Sequence, residues 1–460
     1  MNTYLQNDTI FALSTPYGKS GISIIRISGL LSLECIEYFS IKKKIVPRVA
    51  TLVRIKDSIH NVLIDEIIIV FFPQNHSYTG QNLLELHCHG SIAIIKKILS
   101  ELDNITGFRF AYRGEFTKLA LINNKISISK AESLINIINS ETELQRQVAI
   151  QSCYGGDNRI LRALKDRVIS ILAHAEAFID FPDDTYSEYI ELNDMIYALI
   201  NCFQNINNKI ESARTLMEGI NIVILGEVNV GKSTLMNALT QNNTSIVSKI
   251  RGTTRDIVKY KAEIAGIPVI FSDTAGIRQS NDYIESIGIK KTFTTACSSQ
   301  IIILLVDINT NITLEFLKEI KKILQFQQKV LLLFNKKDLC CMHSVALREQ
   351  YLRNKLNIKY LTSFSITLMS QKDIRKITYV LKKIIHDIVP LENNHMLLNI
   401  QKHSLVKNCL DFLHAALKHK TLELKSIELA EVAQQMGFLL GKVHNDEILD
   451  KIFNDFCIGK

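Results

Sequence analysis

Gly226-Glu227-Val228-Asn229-Val230-Gly231-Lys232-Ser233 matches the phosphate-loop pattern G-x-x-x-x-G-K-[ST]. The flanks supply the context this motif needs. Ile220 to Leu225 is a short apolar run of strand type, and Thr234 to Leu239 reads as the helix that follows. Glycines let the backbone curl so that its N–H groups face phosphate oxygens. Lys232 is placed to reach the β- and γ-phosphates, the Ser233 hydroxyl to ligate Mg²⁺, and the helix N-terminus to add a favourable dipole.

Three further stretches follow in order. Arg251-Gly252-Thr253-Thr254-Arg255-Asp256 stands where a first switch region belongs, with Thr254 as the second Mg²⁺-linked hydroxyl. The strand-like run Pro268 to Phe271 leads into Asp273-Thr274-Ala275-Gly276. There Asp273 is expected to hold Mg²⁺ through water and the Gly276 N–H to meet the γ-phosphate. Val330 to Phe334 reads as a strand before Asn335-Lys336-Lys337-Asp338. A carboxylate at Asp338 accepts from two guanine N–H groups that adenine lacks, which favours GTP. The base loop that usually follows is degraded, and Ser365-Ile366 is its best match. Ile277 stands where Ras-like enzymes place a water-orienting glutamine. An apolar side chain cannot do that, and Glu285 is the nearest carboxylate that could; from spacing alone it could equally be a solvated helix charge.

Around this centre the 460 residues carry 47% hydrophobic side chains, enough for two to four packed domains. The longest apolar runs are strand-sized, and no basic-then-apolar leader opens the chain, so the expectation is a soluble cytoplasmic protein. The net charge of +8 is compatible with an RNA partner, but the basic residues are spread out. Nine scattered cysteines, with no C-x-x-C pair, suggest neither a disulfide framework nor a zinc site.

Residues 1–120 alternate strand and helix patterns: Ile22 to Ile27 and Ile67 to Phe72 as strands, Ile92 to Leu99 as a helix. Leu86-His87-Cys88-His89-Gly90 invites a metal reading, but strand alternation puts His87 and His89 on one face and Cys88 on the other. Arg26, Glu85 and Lys125 are polar groups in or beside apolar segments, either a small-molecule site or surface charges. Ser129 to Val148 and Ile160 to Phe181 carry helical spacing, the second stopping at Pro182. A helical pattern returns from Lys372 and runs to the C-terminus. The expected fold class is multidomain α/β plus all-α: an N-terminal α/β domain (1–120), a discontinuous helical domain (121–215 and 381–460) and an inserted Ras-like P-loop GTPase domain (216–380). Asn445 to Phe456 forms an amphipathic stripe before the terminal Phe456-Cys457-Ile458-Gly459-Lys460. Spacing alone makes Cys457 a half-buried, inert thiol.

Taken together, Asn229-Val230-Gly231-Lys232-Ser233, Gly252-Thr253-Thr254-Arg255-Asp256, Asp273-Thr274-Ala275-Gly276-Ile277-Arg278 and the terminal pentapeptide resemble the MnmE (TrmE) family of tRNA-modification GTPases. Ser77-Tyr78-Thr79-Gly80, His89-Gly90, Gly114-Glu115-Phe116-Thr117 and Lys130-Ala131-Glu132 are similar to its N-terminal and helical motifs, so the resemblance spans the chain. It implies a homodimer that works with a flavoprotein partner, MnmG (GidA), on tRNA. The product would be a carboxymethylaminomethyl or aminomethyl group on carbon five of the wobble uridine. A tetrahydrofolate derivative (5-formyl or 5,10-methylene) would supply one carbon, and GTP hydrolysis would drive conformational cycling.

By position the resemblance implies folate contacts at Arg26, Glu85, Lys125 and Lys460, which makes the N-terminal α/β domain a folate-type domain. It implies K⁺ ligation by Asn229, Ser248, Ile250 and Thr253, in place of an arginine finger. The implied nucleotide-contacting set is Asn229, Val230, Gly231, Lys232, Ser233 and Thr234, then Ser248, Lys249, Ile250, Arg251, Gly252, Thr253 and Thr254. Asp273, Thr274, Ala275 and Gly276 follow, then Asn335, Lys336, Lys337 and Asp338. Glu285 matches the family's water-orienting glutamate and Cys457 its functional cysteine. Departures from the pattern are Val228, Arg113, Lys402, Gln435 and Arg251. If backbone carbonyls hold the ion at Arg251, K⁺ dependence survives; if its guanidinium takes the site, that dependence is lost. Two rivals stand beside this reading: a regulatory, ribosome-assembly type of GTPase that binds RNA without modifying it, and a drifted scaffold that hydrolyses GTP poorly.

Overall fold

A computed structural model describes residues 8–154, 157–180, 185–241, 249–250, 258–273, 294–310, 328–339, 361–390, 400–440 and 459, with 318, 320, 322, 346–347, 350–351 and 354. These residues form two compact units, one within Met1–Ile138 and Phe438–Lys460, the other within Asn139–Gly437.

The first unit is built on six strands: Thr9–Leu13 (β1), Ser20–Ser28 (β2), Thr51–Lys56 (β3), Leu63–Phe72 (β4), Leu83–Gly90 (β5) and Phe108–Phe110 (β6). Their order is β3-β4-β5-β2-β1-β6, antiparallel except that β1 and β6 run parallel. Alternation sorts the side chains. Ile25, Ile27, Ile67, Ile69, Leu84 and Leu86 pack one face against Glu34–Tyr38 (α1) and Ile92–Asp103 (α2), which contribute Cys35, Ile98 and Leu102. The opposite face of β2 and β5 carries Arg26, Glu85, His87 and His89, none of them buried. Helix Glu115–Ile122 (α3) follows, and its Phe116 and Leu119 join Ile10 and Ala12 in a smaller core. Helix Ile128–Asn139 (α4) comes next.

The second unit contains seven strands: Ile220–Leu225 (β7), Lys249–Ile250 (β8), Val258–Ile264 (β9), Ile267–Asp273 (β10), Ile301–Asp307 (β11), Lys329–Asn335 (β12) and Leu361–Ser365 (β13). The order is β13-β12-β11-β7-β10-β9-β8. The five strands from β13 to β10 are parallel, and β9 and β8 are added antiparallel. All of β11 and nearly all of β7 and β12 are buried, as expected of parallel strands covered on both faces. Helix Lys232–Gln241 (α8) packs Leu235, Met236 and Leu239 into this core. Helix Gln371–Ile388 (α9) does the same with Ile374, Ile377, Leu381 and Ile385. It runs unbroken through residue 380, where the sequence had suggested a boundary.

The helical part consists of Glu143–Tyr154 (α5), Asp157–Asp180 (α6), Thr185–Glu218 (α7), Ile400–Lys418 (α10) and Leu422–Leu440 (α11). In α7 the buried positions Leu192, Ile196, Leu199, Phe203, Ile206, Ile210 and Ala213 alternate steps of four and three, the seam of a helical bundle. Val406, Cys409, Leu413 and Ala416 of α10, and Leu429, Val432, Met436 and Leu439 of α11, repeat it. Helix α7 packs against both α6 and α10, so the second sheet is inserted between two pieces of one bundle. Two polar ties lock the layers: His403 Nε2 lies 2.9 Å from Asn207 Oδ1, and the fully buried Lys425 Nζ donates to Asn193 Oδ1 at 2.8 Å.

The helix expected over Ser129 to Val148 is two helices, α4 and α5. The break has a local cause. The Gln145 side-chain oxygen accepts from the Glu141 and Thr142 N–H groups at 2.8 and 3.0 Å, and Thr142 Oγ1 accepts from the Gln145 N–H at 3.3 Å. This reciprocal cap starts a new helix. The Gln145 amide also donates to the Leu216 and Met217 carbonyls near the end of α7, at 3.1 Å each.

Candidate GTPase site and tail contact

The nucleotide-site motifs that the structure describes lie at one edge of the second sheet, beyond the C-terminal ends of β7, β10, β11, β12 and β13. This is where open α/β sheets bind ligands. Helix α7 feeds the site almost directly: Gly219, at φ 81°, caps it through a bond from its N–H to the Thr215 carbonyl at 2.9 Å, and β7 begins at the next residue. The loop after β7 leaves the ordinary backbone regions twice, at Asn229 (φ 64°) and Gly231 (φ 101°). A Cβ on Gly226 would sit 2.4 Å from the Leu305 carbonyl oxygen, so only glycine lets the loop lie against β11. Lys232 Nζ donates to the Gly226 and Glu227 carbonyls at 3.0 and 2.7 Å, holding the cradle with the cation inside it. Ser233 and Thr234 are exposed at the start of α8, and Val230 is buried beneath the loop.

Asn335 ties this loop to the base-binding side. Its Nδ2 donates to the Val230 carbonyl at 2.8 Å. Lys336, at φ 64°, turns back to place Nζ 2.7 Å from Asp307 Oδ2. Burial alone would push the Asp307 carboxyl up, but the bond from Lys336 outweighs it, with help from the Asn309 N–H, and holds it below its usual value. Lys337 pairs with Asp373 at 2.5 Å, and Asp373 accepts from the Thr367 N–H at 2.8 Å. The Thr367 hydroxyl donates to Asp338 Oδ1 at 2.9 Å. The hydroxyl that meets Asp338 is therefore that of Thr367. Ser365 ends β13, paired with Phe334, and Ile366 is buried with its N–H on the Phe334 carbonyl. The Thr367 contact with Asp338 was missed because threonine does not match the usual motif; the preceding strand end was the available signal.

Lys249 and Ile250 pair with Tyr260 and Lys259, and Asp273 ends β10. Ser248, Arg251, Gly252, Thr253, Thr254, Thr274, Ala275, Gly276, Glu285, Cys457 and Lys460 lie outside the described residues. For Mg²⁺ the described donor fits: Ser233 offers an exposed oxygen, of the type a hard cation takes, at the mouth of the cradle.

In the first unit Arg26 Nε donates to Glu85 Oε1 at 2.8 Å, and His87 Nε2 lies 3.1 Å from Glu85 Oε2. Burial would raise the Glu85 carboxyl, but the bonds from His87 and Arg26 prevail and lower it. His89 Nδ1 goes instead to Asp65 Oδ1 at 2.8 Å, and Cys88 faces the core. The alternation expected at this stretch is present, and no metal-holding group of three is found among the described residues.

A run of contacts leads from Arg26 towards Lys125. Two residues on, Ser28 Oγ lies 2.8 Å from Thr79 Oγ1, and Asn123 Nδ2 donates to the Thr79 carbonyl at 2.7 Å. Lys125 itself rests on the Asn75 carbonyl at 3.0 Å. Gly459, the described residue of the tail, bonds to the end of β1. Ser14 Oγ donates to the Gly459 carbonyl at 2.9 Å, and Ser14 N–H bonds the Ile24 carbonyl at 2.7 Å, two residues from Arg26.

The N-terminal residues 9–125 match the family described as GTP-binding protein TrmE N-terminus, and residues 128–457 match the MnmE helical domain. The chain belongs to the MnmE family of tRNA-modification GTPases. A "tRNA modification GTPase MnmE" from Wolbachia pipientis subsp. Culex pipiens (strain wPip) is 35% identical over 459 residues, covering 99% of both chains. One of the same description from Ehrlichia ruminantium (strain Welgevonden) is 34% identical, covering 98% of this chain and all of that one. The Rickettsia typhi protein is 32% identical over the same shares. Against this MnmE background, the Tyr78-Thr79-Gly80 and Gly114-Glu115-Phe116-Thr117 motifs have visible structural work. Tyr78 Oη lies 2.9 Å from Thr117 Oγ1, and the buried Glu115 pairs with Arg109 at 2.6 Å. No helix among the described residues is long and apolar enough to cross a membrane.

Proposed function

We propose that this chain is the GTP-hydrolysing component of a complex that adds a carboxymethylaminomethyl or aminomethyl group to carbon five of the wobble uridine of certain tRNAs. It works in the cytoplasm as a homodimer with a flavoprotein of the MnmG (GidA) type. The observation that supports this most is the full-length likeness to tRNA-modification GTPases, in a chain whose tail residue Gly459 is bonded to the sheet that carries Arg26 and Glu85.

In this reading Lys232 leaves the loop carbonyls for the β- and γ-phosphates, and Ser233 and Thr254 hold Mg²⁺ with Asp273 acting through water. Asp338 accepts from the guanine N–H groups. Asn229, Ser248, Ile250 and Thr253 hold K⁺, which offsets charge developing on the phosphates. Glu285 orients the attacking water. Arg26, Glu85, Lys125 and Lys460 bind the tetrahydrofolate derivative, which supplies a one-carbon unit when bound. Cys457 is the functional cysteine of the tail.

The test is nucleoside mass spectrometry of tRNA from a bacterial strain lacking its own homologue, supplied with this chain and its native flavoprotein. Return of the modified wobble uridine with the wild type, and not with Cys457→Ser, supports both the reaction and the tail. Soluble, GTP-binding protein that restores nothing would overturn the reading in favour of a regulatory GTPase.

A further inference from the structure

Helix α9 carries a face that nucleotide binding does not use. Its buried stripe, Ile374, Ile377, Leu381 and Ile385, points into the GTPase core. The opposite stripe holds Lys372, Arg375, Lys376, Lys382 and Lys383, all exposed. Tyr379 lies midway, 59% exposed. The helix's other acid, Asp373, is buried against Lys337, which leaves Asp387 near the C-terminus as the exposed carboxylate of α9. Among the described residues none of the five cations forms an ion pair.

A solvated helix face ordinarily mixes signs at i,i+4, because like charges at that spacing repel. Five cations over about 16 Å, at ~1.5 Å per residue, with only Lys376 among the described residues within reach of a carboxylate (that of Asp373), repel one another and favour an anionic partner. Aromatic packing holds part of the stripe in place. Lys383 Nζ sits 5.0 Å from the Tyr379 ring centroid, and Lys376 Nζ lies 4.6 Å from that of Phe364.

We infer that this face of α9 is an RNA-binding surface that holds the tRNA backbone. The inference rests on the tRNA reading above and adds the place on the chain where the tRNA is gripped. Charge complementarity selects a polyanion. Lysine point charges along a line suit a run of phosphates. An exposed tyrosine between them offers a stacking platform for an unpaired base, which an acidic protein surface would not need.

The test measures binding of unmodified tRNA to the full chain by fluorescence anisotropy over a range of salt. The variants are Arg375→Gln/Lys382→Gln/Lys383→Gln and, separately, Tyr379→Ala. Glutamine keeps helix propensity, and circular dichroism with GTP turnover, which uses none of these residues, reports folding. The triple variant should weaken tRNA binding about tenfold or more and lower the salt slope by about two to three, near one per lost phosphate contact. Tyr379→Ala should raise Kd about fivefold or more with an unchanged slope. The charge-preserving Arg375→Lys/Lys382→Arg/Lys383→Arg should bind as the wild type does. A folded triple variant with wild-type Kd and slope overturns the inference while leaving the modification reading intact. So does loss of flavoprotein binding with tRNA binding unchanged, which would assign the face to an acidic protein. If the wild type itself binds no tRNA the inference also falls, and nucleoside analysis then decides whether the modification reading falls with it.

Discussion

The Thr367 hydroxyl donates to the Asp338 carboxylate at 2.9 Å, and Asp373 holds the Thr367 backbone from behind at 2.8 Å. Asp338 is therefore held in one orientation. An oriented carboxylate forfeits less side-chain entropy on binding. Asp338→Asn should weaken GTP binding sharply and relax the preference for guanine, because an amide presents a donor where the base presents donors. Thr367→Val removes one neutral-to-charged bond and should weaken GTP by roughly tenfold, about 1.5 kcal/mol. Calorimetric titration with GTP and ATP measures both. Wild-type affinity and selectivity in Asp338→Asn would remove Asp338 from the base site.

Gly226→Ala should be more damaging than its size suggests. The added methyl would sit 2.4 Å from the Leu305 carbonyl and 2.9 Å from Val230 Cγ2, so the loop or β11 must shift. Nucleotide binding should be lost and the melting temperature should fall. A thermal-shift series with and without GTP separates the two effects. Retained stabilisation by GTP would mean that the loop can move away at little cost.

The placement of the described phosphate-loop and Asn335 to Asp338 motifs at strand ends was legible in the sequence because these motifs are local. Gly226 to Ser233 must be contiguous to wrap a phosphate, and Asn335 to Asp338 must follow a strand end. What was not legible depends on tertiary partners. The grip of Thr367 on Asp338 joins residues 29 apart, and nothing in Ser-Ile-Thr-Leu marks which hydroxyl turns inward. The break between α4 and α5 was legible in principle, since Thr142-x-x-Gln145 is a capping-box pattern, but the helical spacing of apolar residues on either side masked it. Arg26 and Glu85 were visible only as polar residues in apolar strands. Their pairing across β2 and β5 depends on the register that sets Arg26 opposite Glu85.

Potassium offers a test of the substitution at Arg251. If the ion is held through Asn229 and backbone carbonyls, GTP hydrolysis should run faster in K⁺ than in Na⁺ at equal ionic strength, by about tenfold or more if the ion stabilises transition-state charge. Single-turnover rates in the two salts, for wild type and Arg251→Ala, decide it. Equal wild-type rates that become K⁺-dependent in Arg251→Ala would show the guanidinium in the ion's place.

The helical bundle should be acid-sensitive through His403. Burial among α7 and α10 lowers its pKa, and the nearby Lys407 charge adds to this. The folded state thus binds the proton less well than the unfolded chain. The resulting stability is fully present above the unfolded value of about 6.5 and is lost as pH falls from there through the lower folded value. The drop in melting temperature between about pH 8 and about pH 5.5 should be smaller in His403→Gln than in the wild type. Equal drops would show that His403 titrates alike in both states.

Gly459 tests whether the tail belongs to the N-terminal site. It adopts φ 96°, and a Cβ there would lie 2.2 Å from the Leu13 carbonyl oxygen. No side chain fits while the Ser14 to Gly459 bond of 2.9 Å is kept. Gly459→Ala should therefore lift the tail from β1 without disturbing the GTPase sheet. If Lys460, the next residue, contributes to folate binding, affinity for 5-formyltetrahydrofolate should fall about tenfold or more, the scale of one charge-assisted bond. Ser14→Ala, which removes the same bond and adds no bulk, should produce a smaller loss in the same direction. GTP turnover should be unchanged in both. Unaltered folate affinity in Gly459→Ala would place the tail's contribution elsewhere and leave Arg26 and Glu85 to bind the ligand without it.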